Sequence, residues 1–170
     1  MKLLSTLLAA LLIGCSHPAP AAPTTPVAAA PDWTMISPTA WQPPAKELPL
    51  APENGKVELF ASSPVYNAHI AVVTTPLPPG MQDPNDFGVS QLMQAHELGY
   101  HVQGARSSPV GTVQGVYMVY IVDEAPDAIF YQLSVGHKDH AHNVVCAFSG
   151  EVSDPEIANC LGSIDTFRLN

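Results

Sequence analysis

The sequence predicts one α+β domain, an antiparallel sheet packed by helices, preceded by a signal peptide and a disordered tether. Two observations support this class. Apolar segments of strand length, joined by short turns, recur between residues 56 and 148, whereas amphipathic helical patterns occur only twice. The order is a strand pair, a helix, a run of antiparallel strands and a terminal helix, which favours packed layers.

A secretory signal is predicted over residues 1–14. Lys2 supplies a positive start, and an apolar run follows that is shorter than the ~20 residues needed to span a bilayer. The run ends in Leu-Ile-Gly-Cys, which resembles the lipobox of bacterial lipoproteins. The resemblance implies cleavage before Cys15 and acylation (such as palmitate) of its thiol, anchoring the chain to the membrane. Ser16 stands where an aspartate would retain a lipoprotein in the inner membrane, which favours the outer membrane, facing the periplasm. An ordinary signal peptide with a chance cysteine is the alternative.

A tether follows the leader over residues 15–31. Proline and alanine dominate it, with five prolines after Ser16, and this composition cannot bury a core and favours extended polyproline II conformations. A domain boundary is therefore predicted near Asp32, leaving residues 32–170 as the single domain.

The domain is acidic and sparsely charged. The chain has six basic and fifteen acidic residues and a net charge of −9. The basic residues are scattered, so no stripe for nucleic acid exists and nucleic acid is not expected as a partner.

The predicted strands and helices are separated by turn and loop sequences. Residues 56–62 alternate and residues 68–74 are β-branched, which indicates a strand pair. Asp83-Pro84 resembles an N-cap with proline at the first helical position, and helical spacing continues to His96. Strands are then predicted over residues 101–107, 114–123, 129–135 and 143–148.

Two of these later elements carry further expectations. Both faces of residues 114–123 are apolar, which predicts a central strand covered on two sides. Ser153-Asp154-Pro155-Glu156 resembles a capping box, and a terminal helix with one apolar stripe follows it.

The remaining cysteines suggest a disulfide. If Cys15 carries lipid, Cys146 and Cys160 are left as a pair in an oxidising compartment, where a bond is favoured over two free thiols. Cys160 lies on the apolar stripe of the terminal helix and Cys146 on the last strand, so the bond would link helix to sheet. A reactive thiol with a histidine base is the alternative.

A histidine-rich segment is the one candidate metal site. His137, His140 and His142 lie within six residues, and imidazoles with a nearby carboxylate could bind Zn²⁺ or Cu²⁺. The segment falls at a predicted hairpin tip, where polar residues are expected anyway. A solvated turn is the competing interpretation.

Taken together, the pattern of the domain resembles the PsbP superfamily. The resemblance covers a Trp-rich start (DWTMISPTAWQ), a hairpin, a helix, the strand VYMVYIV, the hairpin sequence FYQLSV and a closing helix ending in SIDTFRL. It implies a compact α/β/α layered domain without shared catalytic residues. It also implies a domain that binds a protein partner or supports an assembly. Tyr117 and Tyr120 on the central strand are expected to be core aromatics, with a recognition surface as the alternative.

The sequence therefore predicts a membrane-anchored, non-catalytic envelope lipoprotein that binds an unknown envelope protein or supports an envelope or secretion assembly. The alternative function is binding of a small ligand or a transition metal through residues 137–142. No cofactor is expected under the first interpretation. No nucleophile elbow or phosphate-binding loop is present in the sequence.

Overall fold

The structure is a computed structural model that describes residues 31–43 and 54–170. Its elements, in chain order, are β1 (Trp33–Thr34), β2 (Lys56–Ser62), β3 (Ala68–Pro76), α1 (Asp86–Glu97), β4 (His101–Val110), β5 (Val113–Val122), β6 (Ala125–His137), β7 (His140–Ser149), α2 (Asp154–Asp165) and β8 (Arg168–Leu169).

Strands β2 to β7 form one antiparallel sheet. Its strand order is β2-β3-β7-β6-β5-β4, so β2 and β4 are the edges and the β6–β7 hairpin lies near the centre. Strands that follow one another in the chain pair directly, except β3 and β4, which are separated by α1. β3 pairs with β7 instead. The predicted class, an α+β domain with an antiparallel sheet packed by helices, is confirmed.

The two helices lie on opposite faces of this sheet and divide the core in two. Under α1, the buried side chains are Ala95, Met118, Tyr120, Val122, Ala128, Phe130, Val145 and Ala147. The core under α2 is larger and includes Cys146, Cys160, Ile164 and Phe167. Side chains alternate between these cores along each strand, as the two-residue period of a strand requires.

The first and last described strands, β1 and β8, pack on the α2 side of the sheet. β1 pairs with β8, so the start and the end of the domain meet, and Trp33 stacks on Phe167 with ring centroids 5.7 Å apart. Trp41 is also buried there, and its indole donates a hydrogen bond of 2.6 Å to Glu156 Oε1. Both tryptophans of the Trp-rich start are therefore core residues.

Both helix starts differ in detail from the predictions. The first helix begins at Asp86 with Asn85 as its N-cap, rather than at Asp83-Pro84. Ser153 is the N-cap of α2, but its side chain makes no capping hydrogen bond. The expected capping box is absent because the Glu156 carboxylate binds the Trp41 indole instead.

Close packing of α1 on the sheet depends on glycine. A Cβ atom at Gly88 would lie 2.7 Å from the Val116 backbone nitrogen, and one at Gly136 would lie 2.3 Å from the Pro84 carbonyl oxygen. The helix can approach β5 and β6 this closely only because these two positions lack a side chain.

Candidate functional site

Strand β5 has one buried face and one half-buried face. Met118, Tyr120 and Val122 are buried beneath α1. The Tyr120 hydroxyl donates a 2.8 Å hydrogen bond to Gln132 Oε1, and this amide is tied in turn to Ser134 and Asn143. The expectation of a core aromatic is therefore correct for Tyr120.

The opposite face of β5 continues onto β6 as a surface of large apolar side chains, which we call the open face. All five of its side chains are half-buried, and they are Tyr117, Val119, Ile121, Ile129 and Tyr131. The predicted strand is fully covered on its α1 side, and its other face is covered only in part. The sequence pattern shows that both faces of the strand are apolar, but it does not show which helices or strands pack against each face.

The topology explains why this face is only partly covered by the elements that the structure describes. Helix α1 lies on the other side of the sheet, and α2 packs against β7, two strands away from β5. The neighbouring edge strand β4 is exposed over most of its length, on both faces. One side of β4 is therefore exposed, and the side chains next to it on β5 and β6 are half-buried. Tyr117, Ile129 and Tyr131 pack against the α2-side core, whereas Val119 and Ile121 belong to neither core cluster.

The chemistry of the open face is aromatic with one cation. The rings of Tyr117 and Tyr131 are 6.5 Å apart, and the Arg106 guanidinium carbon lies 5.1 Å above the Tyr117 ring. Burial, with a smaller contribution from Tyr131, raises the pKa of Tyr117 to about 12, so its hydroxyl is neutral at physiological pH. Tyrosine and arginine are the residue types enriched at the energetic centres of protein interfaces.

The predicted histidine segment is mostly strand. Its turn consists of Lys138 and Asp139 alone, with Lys138 at a positive φ of 55°, so His137 and His140 are cross-strand partners. The His140 ring pairs with Asp139 at 2.7 Å. His142 lies further along β7 and is fully buried.

These positions do not assemble the predicted metal site. Within residues 31–43 and 54–170, no three histidine, cysteine or carboxylate side chains are grouped so that they could hold a metal ion. His142 is directed into the protein, whereas His140 lies near the surface at the hairpin tip. His137, His140 and His142 are therefore neighbours without forming one ligand set for Zn²⁺ or Cu²⁺.

His142 instead belongs to a buried polar chain beneath the first strand. Its Nδ1 lies 3.0 Å from Thr74 Oγ1, and the Thr74 hydroxyl donates a 2.8 Å hydrogen bond to Glu58 Oε2. Glu58 also accepts a hydrogen bond from the Trp33 indole. Desolvation alone would raise the pKa of Glu58, but these hydrogen bonds outweigh it and lower that pKa.

The direction of these hydrogen bonds fixes the tautomer of His142. Thr74 gives its only proton to the ionised Glu58, so Nδ1 of His142 must carry the proton that is donated to Thr74. Its Nε2 then has no hydrogen-bond partner and lies 3.5 Å from Asp32 Oδ1. Burial lowers the pKa of His142, although Asp32 opposes the shift. The hydrogen bonds of this cluster connect β1, β2, β3 and β7.

The cysteine pairing is confirmed. Cys146 on β7 and Cys160 on α2 form a disulfide with their Cα atoms 6.3 Å apart, and both side chains are fully buried. The bond links the terminal helix to the sheet, as expected, and leaves no free thiol in the described part of the chain. Cys15, the signal peptide and the tether up to residue 30 lie outside the described residues.

Within the residues that the structure describes, none of the helices has the length and apolarity required to cross a membrane.

The chain matches no protein-family model and no curated protein. Among solved structures it is similar to the solution structure of cyanobacterial PsbP (CyanoP) from Synechocystis sp. PCC 6803. That similarity has a TM-score of 0.49 and 8% sequence identity, and it covers 82% of each chain. It concerns the fold, and no function is transferred from it.

Proposed function

We propose that this chain is a non-catalytic protein-binding module of the bacterial envelope and that the open face is its binding surface. The observation that carries the proposal is the open face itself, five large apolar side chains on two neighbouring strands that keep part of their surface accessible, with Val119 and Ile121 outside both core clusters. Covering the apolar surface that remains accessible is favourable, by ~25 cal/mol per Å². Contiguous exposed apolar surface of this kind marks interaction sites.

The position of the face, on the outside of two neighbouring strands, supports a protein as the bound species rather than a small ligand. Small-molecule sites are enclosed clefts of roughly 300–1,000 Å³. The side chains of the open face are spread over two neighbouring strands, and a pocket of about 220 Å³ between residues 36–39 and α2 is smaller than that range. A sheet surface bearing tyrosines and an arginine is suited to packing against another protein surface.

The sequence supports the proposed location. Lipid on Cys15 would hold the chain at the outer membrane, facing the periplasm, and the proline-rich tether would separate the domain from the lipid by up to roughly 45 Å if fully extended as polyproline II. A lipid-anchored domain with an uncovered apolar face can then engage a neighbouring protein at that surface.

The test is a matched pair of charge insertions in the full-length, lipidated protein. Val119→Asp places a carboxylate in the middle of the open face, and Val65→Asp places one on an exposed loop, where the valine is 76% exposed. After chemical crosslinking in intact cells and affinity purification, Val119→Asp should lose the crosslinked species that the wild type gives. Val65→Asp should retain them. Equal recovery of every crosslinked species with both variants would refute the proposal.

A further inference from the structure

We propose that the Ser62 hydroxyl is a nucleophile that accepts one acyl group from an activated acyl donor, with His69 as its general base and Asn67 as the residue that positions His69. The site goes beyond the proposed binding function and lies on the other side of the sheet from the open face. His69 is the cross-strand partner of Ala147, which belongs to the core beneath α1.

The three side chains form a hydrogen-bonded chain at the end of the β2–β3 hairpin. Ser62 and His69 are directly opposite each other in the two strands, and Ser62 Oγ lies 2.9 Å from Nδ1 of His69. On the other side of the ring, Nε2 lies 3.1 Å from Oδ1 of Asn67. A hydroxyl within hydrogen-bond reach of an imidazole that a third group orients is the arrangement that activates a serine.

The hydrogen bonds give His69 the tautomer that a base requires. A neutral imidazole has one N–H group, and Oδ1 of Asn67 can only accept, so the proton lies on Nε2. Nδ1 therefore presents a lone pair, to which the Ser62 hydroxyl donates. Burial lowers the pKa of His69, which keeps the imidazole neutral at neutral pH and able to take the serine proton.

Each of the three groups is held in place by further contacts. Ser62 exchanges two backbone hydrogen bonds with Gln42, of 2.9 and 3.0 Å. The Phe60 ring stacks on the His69 ring with the centroids 5.6 Å apart, which restricts the plane of the imidazole. The backbone carbonyl of Asn67 accepts a 3.0 Å hydrogen bond from the last residue of β7. The nucleophile and its base are therefore oriented before a donor binds.

The site is accessible to a small donor. Ser62 and His69 are half-buried and Asn67 is exposed. Helix α1 packs on β4, β5 and β6, so β2 and β3 lie beside it rather than beneath it. Gln42 is the bridge partner of Ser62, and side chains of directly opposite residues lie on the same side. The Gln42 amide is thus placed to donate to the carbonyl oxygen of an acyl group on Ser62.

The reaction is one acyl transfer from a thioester or an activated ester. Ser62 Oγ forms a bond to the carbonyl carbon while its proton moves to Nδ1 of His69. The bond from that carbon to the leaving sulfur or oxygen then breaks, and the imidazolium gives the proton to the leaving group or to water. The product is an ester on Ser62.

The surroundings of the three side chains favour an acyl donor over a phosphoryl donor. Among the described residues, no lysine or arginine side chain donates a hydrogen bond to any of the three. Phosphoryl transfer depends on cations that stabilise the transferred group, whereas an acyl carbonyl is uncharged.

The test uses p-nitrophenyl acetate as the donor and the purified full chain carrying Cys15→Ser, which removes the third thiol. This chain should release p-nitrophenolate in a burst of about one equivalent. Peptide mass spectrometry should find an acetyl ester on Ser62 that alkaline hydroxylamine removes, unlike an acetylated lysine. Ser62→Ala should lose the burst. Ser107→Ala, which removes an exposed hydroxyl on β4, is the matched control and should retain it.

Two further positions test the roles of the base and its positioning residue. His69→Gln should slow acylation by ~100-fold or more, because the general base is lost. Asn67→Asp should still react, but with the midpoint of its pH profile moved upward, since a carboxylate beside the ring raises the pKa of His69. Absence of an ester on Ser62 in the parent chain would overturn the inference. Acylation that His69→Gln leaves unchanged, or a pH profile that Asn67→Asp does not move, would overturn it equally.

Discussion

The disulfide between Cys146 and Cys160 should supply a large part of the stability of this domain. The two residues are 14 positions apart, and closing a loop of that length stabilises a fold by ~3 kcal/mol in the chain-entropy model. Both side chains are fully buried, so replacing them also removes packing. We therefore expect Cys146→Ala/Cys160→Ala to lower the free energy of unfolding by about 3–5 kcal/mol.

The assay is denaturant unfolding of the full chain carrying Cys15→Ser, which removes the third thiol. Wild-type cysteines with the bond reduced serve as the matched control, because they retain the sulfur atoms and lose only the crosslink. The m-value should rise on reduction, since the unfolded chain becomes more expanded. A loss below ~1 kcal/mol for both the reduced protein and the double variant would refute the loop-closure reasoning.

Three further predictions concern buried groups. Burial holds the pKa of His142 below its ordinary value of 6.5, so on acidification this histidine is protonated in the unfolded chain before it is protonated in the folded one. The free energy of unfolding should therefore fall as pH drops below about 6.5. His142→Asn should flatten that dependence in unfolding titrations at several pH values. Gly136→Ala should destabilise the fold by about 1–3 kcal/mol, since its Cβ would lie 2.3 Å from a backbone carbonyl oxygen. The control is Gly104→Ala, which has open space around its Cβ and should not show this loss in the same denaturation assay. Tyr120→Phe should cost about 1–3 kcal/mol by leaving Gln132 Oε1 without its donor, and a melting temperature equal to that of the wild type would contradict this.

The central parts of the strands could be predicted from the sequence because alternation and β-branching report directly on pleated, half-buried surfaces. The bounds of β2 agree with the prediction. β5 has the predicted length and is shifted by one residue, whereas β3, β4, β6 and β7 are two to six residues longer than predicted. The disulfide was also predictable, because the lipobox resemblance left Cys146 and Cys160 as the only pair.

The open face could not be found from the sequence, because a strand pattern describes its own two faces and not the elements that cover them. Tyr117 and Tyr120 occupy the same apolar strand, yet only Tyr120 lies beneath a helix. A usable signal was present: only two helices were predicted for six strands, and residues 101–110 contain few apolar side chains. Together these features indicate an exposed edge beside an apolar strand.

The predicted histidine site assumed a longer loop at the β6–β7 hairpin than the structure has. A loop over residues 136–142 would have allowed three imidazoles to converge, but the turn is confined to Lys138 and Asp139. The strand period then places His142 in the interior, where its proton is committed to Thr74. The capping-box prediction for Glu156 was wrong for a similar reason. The Glu156 carboxylate accepts a hydrogen bond from the Trp41 indole, a residue distant in sequence, instead of bonding the backbone at the start of its own helix.

The measurement that tests the binding role of the open face most directly is site-specific photo-crosslinking in intact cells. A photoreactive phenylalanine analogue at Val119 samples the centre of the open face, and the same analogue at Val65 samples an exposed loop away from it. The account predicts a discrete protein adduct at Val119 and none at Val65. An absence of adducts at Val119, or the same adducts at both positions, would contradict it.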